Sequence, residues 1–236
     1  MQIKIIKCLQ DNYSYIIIDN NNNACVVDPS ESDPVIKYLE ENKINLKFIL
    51  NTHHHYDHVG GNKELKKKYN AKVLGYINDK ERIPEIDIFL KNKEIWNTDS
   101  FKFQIFHIPG HTSGHICYYF KNEKFLFTGD TLFSLGCGRI FEGTYEQMFS
   151  SLQLFKSFPK DTKIFCGHEY TLKNSEFCKK YDPKNKKLDN RILEIKNVLS
   201  KGLPTIPTTI EDELDCNIFL RSDDLETFSK LRDLKD

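Results

Sequence analysis

The 236-residue sequence has no Cys-x-x-Cys motif and an odd number of cysteines, seven in all. An odd and widely spaced set argues against a disulfide framework and against a zinc site built from thiolates. The sequence also lacks an apolar run of the roughly 20 residues that a membrane-spanning helix needs. Its first residues are too polar and too interrupted for a signal peptide. We therefore expect a cytoplasmic protein without a membrane partner.

The sequence has no excess of either charge, with 34 Lys and Arg residues against 34 Asp and Glu residues. Because a nucleic-acid-binding protein favours a clearly basic surface, we expect no nucleic-acid partner. The length suffices for one large domain, or for one domain with a small appendage. Apolar residues make up 39% of the sequence, which is enough for a substantial core. We expect the protein to be a monomer.

The apolar pattern predicts an α/β protein whose character changes near its last quarter. In the first part, apolar or alternating runs typical of strands, such as Leu46 to Leu50, are interspersed with helical patterns. In the last part the strand patterns vanish, and apolar residues recur at a helical period in 188–199 and 225–234. The predicted organisation is a body over residues 1–170 and a small helical lobe over residues 171–236.

The most informative segment, Thr52 to His58, reads Thr-His-His-His-Tyr-Asp-His. It contains four potential metal ligands within six residues, namely His53, His55, Asp57 and His58. Helical neighbours lie three or four residues apart, so a helix could not present all four on one face. The alternating histidine pair suits an extended or loop backbone, and the second pair then turns towards another point. The segment therefore predicts a site for two adjacent cations.

Three further candidate ligands follow predicted strands, which is where sites gather in α/β proteins, and each has a glycine beside it. They are His111, Asp130 and His168. Nitrogen and oxygen ligands without thiolates suit zinc, with iron and manganese as alternatives. If one carboxylate bridges, the seven residues form two sets of four: His53, His55, His111 and Asp130, and then Asp57, His58, Asp130 and His168.

Neighbouring residues are given supporting rather than ligating roles. The side chain of His54 should point away from its neighbours' metal by alternation, and His107 is expected to pack within its strand. His115 is a candidate for a hydrogen bond to a ligand. Asp28 is expected to support the site or a turn, and Cys137 is interpreted as structural.

The residues Thr52 to His58, followed in order by His111, Asp130 and His168, resemble the motif of the metallo-β-lactamase superfamily. The resemblance implies a four-layer αββα sandwich with a dinuclear metal site at one edge. This superfamily includes lactamases, lactonases, RNA-processing nucleases, persulfide dioxygenases and thioesterases. The motif therefore fixes the superfamily and leaves the reaction open.

Shorter motifs, and the helical C-terminal lobe, resemble the hydroxyacylglutathione hydrolase (glyoxalase II) family. That resemblance implies hydrolysis of S-D-lactoylglutathione to D-lactate and glutathione, the final step of methylglyoxal detoxification. It also implies two metal ions bridged by Asp130, a hydroxide nucleophile oriented by Asp57, and glutathione held by Arg139, Tyr170 and Arg221. The motifs are Leu9-Gln10-Asp11-Asn12-Tyr13, Val27-Asp28-Pro29, Gly129 to Phe133, Gly136 to Arg139, Gly167 to Thr171, and Asn217 to Arg221.

Among the positions that depart from the family pattern, three bear most on substrate binding. Phe141 stands where some relatives have a tyrosine, and Asp223 and Asp224 stand where some have basic residues that grip the glutathione carboxylate. These departures leave a thioesterase for a different thiol carrier as an alternative. A persulfide dioxygenase with one iron is a second alternative. A catalytically silent module is disfavoured, because such a module would be expected to have lost ligands.

Overall fold

The computed structural model describes residues 1–98 and 100–235. These residues divide into two compact units. The first unit comprises Met1–His107 and Gly114–Glu123, and the second comprises Ile108–Ser113 and the chain from Lys124 onward. The boundary predicted between residues 170 and 171 stays a prediction.

The first unit contains a six-stranded mixed sheet. Its first three strands pair antiparallel, and its third to sixth strands pair in parallel. The antiparallel hairpin turns through an asparagine run in which Asn22 has φ +59°, a conformation that asparagine tolerates well. In sheet order, the strands are β1 (Gln2–Cys8), β2 (Asn12–Ile18), β3 (Asn23–Val27), β4 (Asn45–Leu50), β5 (Lys72–Tyr76) and β6 (Ile88–Leu90).

Helices provide the crossovers that parallel strands require. They are α1 (Ser32–Glu41), which connects β3 to β4, and then α2 (Tyr56–Val59) and α3 (Asn62–Tyr69), which lie between β4 and β5. The α1 residues Val35 and Leu39 lie one helical turn apart and are fully buried in the apolar core that includes Ile49 of the sheet. The first unit also has an antiparallel trio: β7 (Ile95–Asn97), β8 (Lys102–His107) and β9 (Ile116–Phe120).

The second unit combines short strands with five helices among its described residues. Its strands β10 (Phe125–Gly129) and β13 (Lys163–Cys166) pair in parallel, and β14 (Thr208–Thr209) adds antiparallel to β13. A small hairpin joins β11 (Leu132–Phe133) to β12 (Gly136–Cys137). The helices are α4 (Tyr145–Phe155), α5 (Thr171–Tyr181), α6 (Lys186–Ser200), α7 (Ile210–Cys216) and α8 (Leu225–Asp233).

The two helices predicted near the end of the chain are confirmed, since α6 covers 188–199 and α8 covers most of 225–234. The expectation of no strand beyond residue 171 is wrong by one short element, β14. This strand has two residues and is defined by pairing with β13, far earlier in the chain, so it leaves no local pattern. Within residues 1–98 and 100–235, none of the helices has both the length and the apolar character that crossing a membrane demands.

Candidate functional site

Two neighbouring parallel strands position the predicted histidine segment of the first unit. Val27 at the end of β3 pairs with Leu50 at the end of β4, so both chains leave the sheet at the same edge. The amide of Asp28 donates to the carbonyl of Leu50 at 3.0 Å. The Asp28 carboxylate in turn accepts from the amide of Thr52 at 2.7 Å. The start of the histidine segment is thus fixed by Asp28, which directly follows the neighbouring strand β3.

The structure brings together the four predicted ligands of this segment. His53 and His55 lie in loop backbone before α2, and Asp57 and His58 lie within that helix. The ring of His53 is 4.8 Å from that of His55 and 4.2 Å from that of His58, measured between centroids. Asp57 Oδ2 lies 3.7 Å from His58 Nε2. The segment therefore forms one cluster of imidazole and carboxylate donors.

Hydrogen bonds to Asp28 determine the tautomers of two of these histidines. The Asp28 carboxylate, which is 2% exposed, accepts from His58 Nδ1 at 3.0 Å and from the Thr52 hydroxyl at 2.6 Å. Because that hydroxyl has only one proton to give, its oxygen accepts from His53 Nδ1 at 3.0 Å. Both rings therefore carry their lone pair on Nε2, the nitrogen with which they would bind a cation. Asp28 supports the site, as expected.

Asn12 also supports this cluster, although the sequence suggested no role for it. Its Nδ2 donates to Asp57 Oδ2 at 3.0 Å and to the Asp57 carbonyl at 3.1 Å, and the residue is 4% exposed. These bonds fix the orientation of the Asp57 carboxylate. The available signal was the position of Asn12 in the Leu9 to Tyr13 motif, but the contact spans 45 residues.

The remaining histidines of the first unit have identifiable neighbours. His54 Nδ1 lies 3.5 Å from Asp79 Oδ2. His107 stacks on Tyr76 with ring centroids 4.6 Å apart, as expected for a packed strand residue. His115 stacks on His53 at 4.5 Å, and its Nδ1 donates to the carbonyl of Ile116 at 3.1 Å. His115 therefore contacts a proposed ligand through its ring face rather than by a hydrogen bond of its Nδ1.

In the second unit, parallel strands again place two predicted ligands side by side. Gly129 of β10 pairs with Cys166 of β13, and the amide of Gly167 donates to the carbonyl of Gly129 at 3.0 Å. The next residues, Asp130 and His168, consequently meet, with 3.2 Å between Asp130 Oδ2 and His168 Nε2. His111 Nε2 lies 3.5 Å from the same oxygen, and all three ligand candidates are buried.

The loop after Asp130 holds His111 in a defined tautomer. His111 Nδ1 donates to the carbonyl of Arg139 at 2.9 Å, since a carbonyl can only accept, and the lone pair is left on Nε2. Gly138 allows this loop to fold back over Asp130, because a Cβ at that position would lie 1.9 Å from the Asp130 carbonyl oxygen. This close approach of the two main-chain segments requires glycine at position 138.

The donor atoms in both units fit a divalent metal ion. They are imidazole nitrogens, oriented in three cases by a hydrogen bond on the opposite ring nitrogen, and carboxylate oxygens. Beside His168, burial raises the pKa of the Cys166 thiol to about 12, and the thiol donates to the His168 carbonyl at 3.5 Å. Cys166 is therefore a neutral thiol. Cys137 is buried and accepts weakly from Arg232, consistent with a structural role.

Two of the predicted glutathione-binding residues adjoin the ligands of the second unit. The Tyr170 ring stacks on the His168 ring at 4.8 Å with only 3° between the planes, and the residue is 36% exposed. Arg139 is exposed, while its carbonyl holds His111. Phe141, at the position that departs from the family pattern, is 61% exposed and lies with its ring 5.1 Å from that of His111.

The third predicted residue, Arg221, lines a groove with Tyr181 and Thr227. Its guanidinium Nη1 donates to Asp182, and this bond is the largest cause that holds the pKa of Asp182 below its ordinary value. Nearby, Asp224 accepts from the amide of Thr227 at 2.7 Å and so caps the start of α8. The acidic residue found where some relatives have a basic one thus has a structural function.

Comparison with known proteins defines the family. Residues 9–168 match the metallo-β-lactamase superfamily, and residues 169–236 match the hydroxyacylglutathione hydrolase C-terminus. A hydroxyacylglutathione hydrolase of Pelagibacter ubique (strain HTCC1062) is 65% identical to this chain, over 100% of this chain and 99% of the relative. The chain belongs to the hydroxyacylglutathione hydrolase family. A hydroxyacylglutathione hydrolase of Prochlorococcus marinus (strain MIT 9301) is 44% identical, over 98% of this chain and 94% of the relative.

Solved structures share the fold at lower identity. ETHE1 from Myxococcus xanthus aligns with a TM-score of 0.76 at 22% identity, covering 100% of this chain and 92% of that chain. The BLEG-1 B3 metallo-β-lactamase aligns with a TM-score of 0.74 at 22% identity, covering 94% of this chain and 100% of that one. The predicted α/β sandwich of the metallo-β-lactamase type, with a helical C-terminal part, is confirmed. Family membership and the His and Asp clusters support divalent-metal binding.

Proposed function

We propose that this chain hydrolyses hydroxyacyl thioesters of glutathione, with S-D-lactoylglutathione as substrate and D-lactate and glutathione as products. The observation that carries the proposal is the 65% identity to a hydroxyacylglutathione hydrolase over the full chain. The match of the C-terminal residues to the corresponding part of that family supports it further. The reaction would be the last step of methylglyoxal detoxification, carried out by a monomer in the cytoplasm.

The proposed metal ligands are the seven residues identified from the sequence. They would hold two divalent cations, with zinc favoured by the nitrogen and oxygen donors and iron or manganese as alternatives. Support comes from the tautomers of the donors, because Asp28, Thr52 and the Arg139 carbonyl leave the lone pairs of three rings on Nε2. The seven are His53, His55, Asp57, His58, His111, Asp130 and His168.

Bound divalent cations would lower the pKa of a coordinated water towards 7 and polarise the thioester carbonyl. The carboxylate of Asp57 orients the attacking water, and Asn12 keeps that carboxylate in one orientation through Oδ2. Asp130 would be the ligand that the two cations share. Its Oδ2 lies 3.2 Å from His168 Nε2 and 3.5 Å from His111 Nε2, and this placement suits a carboxylate that shares a cation with these imidazoles.

The leaving group needs little help from the protein. A thiol with a pKa near 8.5 departs as a thiolate far more readily than an amide nitrogen would, so no side chain has to protonate it. What the chain must supply is position. Arg139 and Arg221 would bind glutathione by charge-assisted hydrogen bonds, and Tyr170 would offer its hydroxyl to a substrate amide.

A panel of acyl thioesters tests this function. The same acyl group would be presented on glutathione, coenzyme A and a minimal thiol, and kcat/KM would be compared beside elemental analysis of the purified protein. We expect the glutathione thioester to be preferred and two divalent metal ions per chain to be present. Preference for coenzyme A would identify a thioesterase for another carrier. Oxygen uptake with a persulfide and one iron per chain would instead identify a dioxygenase.

A further inference from the structure

The loop between the proposed ligand Asp130 and the proposed substrate residue Arg139, which includes the small β11–β12 hairpin, is held through its main chain. Six consecutive carbonyl groups, those of residues 133 to 138, accept hydrogen bonds from side chains of the C-terminal helical segment. The donors lie on or beside α5, α7 and α8. Loops are ordinarily held by a few such contacts, because most of their polar groups face water.

Glu213 and Asn217 hold the centre of this loop. Glu213 Oε2 accepts from the amide of Leu135 at 2.7 Å and from Asn217 Nδ2 at 2.9 Å. Asn217 Nδ2 also donates to the carbonyl of Gly136 at 3.0 Å. Both side chains are fully buried, and Thr208 donates to the second Glu213 oxygen at 2.7 Å. Leu135 has φ +58°, a conformation that a leucine adopts only when its surroundings impose it.

Arg232 holds the end of the loop. Its Nη1 donates to the carbonyl of Cys137 at 3.0 Å and lies 3.5 Å from that of Gly138. The guanidinium lies 5.3 Å from the centre of the Phe219 ring, and the residue is 2% exposed. Burying a guanidinium costs hydration free energy, and hydrogen bonds to main-chain carbonyls compensate for part of that cost. These bonds hold Arg232 and the loop together.

The same loop contacts three proposed active-site residues. Gly138 packs on the carbonyl of Asp130, the carbonyl of Arg139 accepts from His111, and the Phe133 ring lies 6.0 Å from that of His168. A displacement of the loop would therefore change the position of Asp130 and release His111 from its tautomer. Loss of a group that hydrogen-bonds to a metal ligand commonly lowers metal affinity by about 10-fold to 100-fold.

We infer that Glu213 and Arg232 are positioning residues, which fix the loop of residues 133–138 and through it the ligands of the second unit. The C-terminal segment would thus prepare the metal centre, in addition to any part it has in binding glutathione. The inference rests on the proposed ligand roles of Asp130, His111 and His168. Its readouts do not involve turnover, so that its failure is distinguishable from failure of the proposed hydrolase function.

The test uses the full-length protein and Zn²⁺ as the probe. At pH 8, where Glu213 is ionised, Glu213→Gln keeps the shape of the side chain but replaces one accepting oxygen by a donating amide, so the Leu135 amide or the Thr208 hydroxyl loses its acceptor. We expect Zn²⁺ affinity, measured by competition with a chelator, to fall by about 10-fold to 100-fold. In the Zn²⁺-loaded variant, hydrogen–deuterium exchange should accelerate by about tenfold at the Leu135 amide and stay unchanged in β10 and β13. Glu211→Gln, on the exposed face of α7, is the control and should match the unchanged protein in both measurements.

Arg232→Lys is a second, milder variant, since lysine keeps the charge but lacks the guanidinium Nη1 that donates to the two carbonyls. We expect a smaller loss of Zn²⁺ affinity in the same direction, with the exposed Lys230→Arg on α8 as control. Unchanged Zn²⁺ affinity and unchanged exchange in both variants would overturn the inference. So would equal losses in the controls, or failure of both variants to fold, which would show that these residues support the fold as a whole.

Discussion

In the first unit, four proposed ligands come from one stretch of six residues, whereas in the second unit the three others come from positions 111, 130 and 168. The ligands of the first unit are oriented by side chains, chiefly those of Asp28 and Asn12. In the second unit, His111 is oriented by a main-chain carbonyl, and the loop next to that carbonyl is held by the C-terminal helices. One half depends on a few side-chain partners, and the other depends on how a whole loop is packed.

The difference follows from how the chain continues after the strands that lead to the ligands. In both units, neighbouring parallel strands bring two chain segments to one edge, β3 with β4 and β10 with β13. In the first unit the ligands then follow within a few residues, so short side chains suffice to fix them. In the second unit the connection from Asp130 to Arg139 must turn back on itself, and glycine at position 138 is what allows it.

The largest effect is expected from Asp130→Ala, which removes the carboxylate that adjoins both His111 and His168. Loss of a ligand that neutralises charge and positions the cations removes several kcal/mol of transition-state stabilisation, and we expect kcat to fall by about 10³-fold or more. Elemental analysis should show that the variant loses both metal ions per chain. Asp161→Ala, an exposed position in the same unit, is the control. Full metal content in the Asp130 variant would contradict a bridging role.

The second effect is on the free energy of unfolding and its dependence on pH. It arises in the second unit, from Glu213. Burial raises the pKa of Glu213 from 4.5 to about 7. The folded state therefore holds this proton where the unfolded state has lost it, so its stabilising contribution is complete below about pH 4.5 and disappears as pH rises through about 7. The difference corresponds to roughly 3 kcal/mol of unfolding free energy.

Urea unfolding of the unchanged protein and of Glu213→Gln at pH 5 and pH 8 measures this contribution. The unchanged protein should lose more stability between the two values than the variant does, because glutamine does not titrate. Glu211→Gln should behave like the unchanged protein, since its side chain is exposed on the same helix. Equal pH dependence in all three proteins would show that Glu213 does not titrate in this range.

How much the sequence predicts depends on the same distinction. The cluster at His53 to His58 is local, so its composition and spacing already indicate its chemistry. The gathering of His111, Asp130 and His168 depends on topology, and it was accessible only because ligands in this fold follow strand ends. Glu213 and Arg232 gave no signal, since they contact main-chain atoms 78 and 95 residues away, and a carbonyl has no sequence identity.

Asp28→Asn should weaken the first half while leaving the second unaffected. An amide nitrogen facing the Thr52 hydroxyl or His58 Nδ1 would favour the wrong tautomer of a histidine and remove its Nε2 lone pair. We expect Zn²⁺ affinity and kcat to fall by about 10-fold to 100-fold, with exchange of the amides of residues 133–138 unchanged. Asp33→Asn, exposed at the start of α1, is the control. Faster exchange in that loop would mean that the two halves are not supported independently.

The smallest effect tests whether Arg221 binds substrate. A change in KM without a change in kcat would give this residue of the helical segment a role in substrate binding rather than in metal binding. Arg221 already donates to Asp182, so a substrate carboxylate must replace that bond, and the net gain is less than a new charge-assisted bond would give. We expect Arg221→Ala to raise KM for S-D-lactoylglutathione by about tenfold or less with kcat nearly unchanged. Asp182→Asn should lower KM by about threefold, because the competing carboxylate is gone. Lys187→Ala, which breaks an exposed ion pair with Asp215, should change neither constant. If KM were the same in the Arg221 and Asp182 variants as in the unchanged enzyme, the ion pair would be purely structural, and the role of the C-terminal segment would reduce to holding the loop above the metals' ligands.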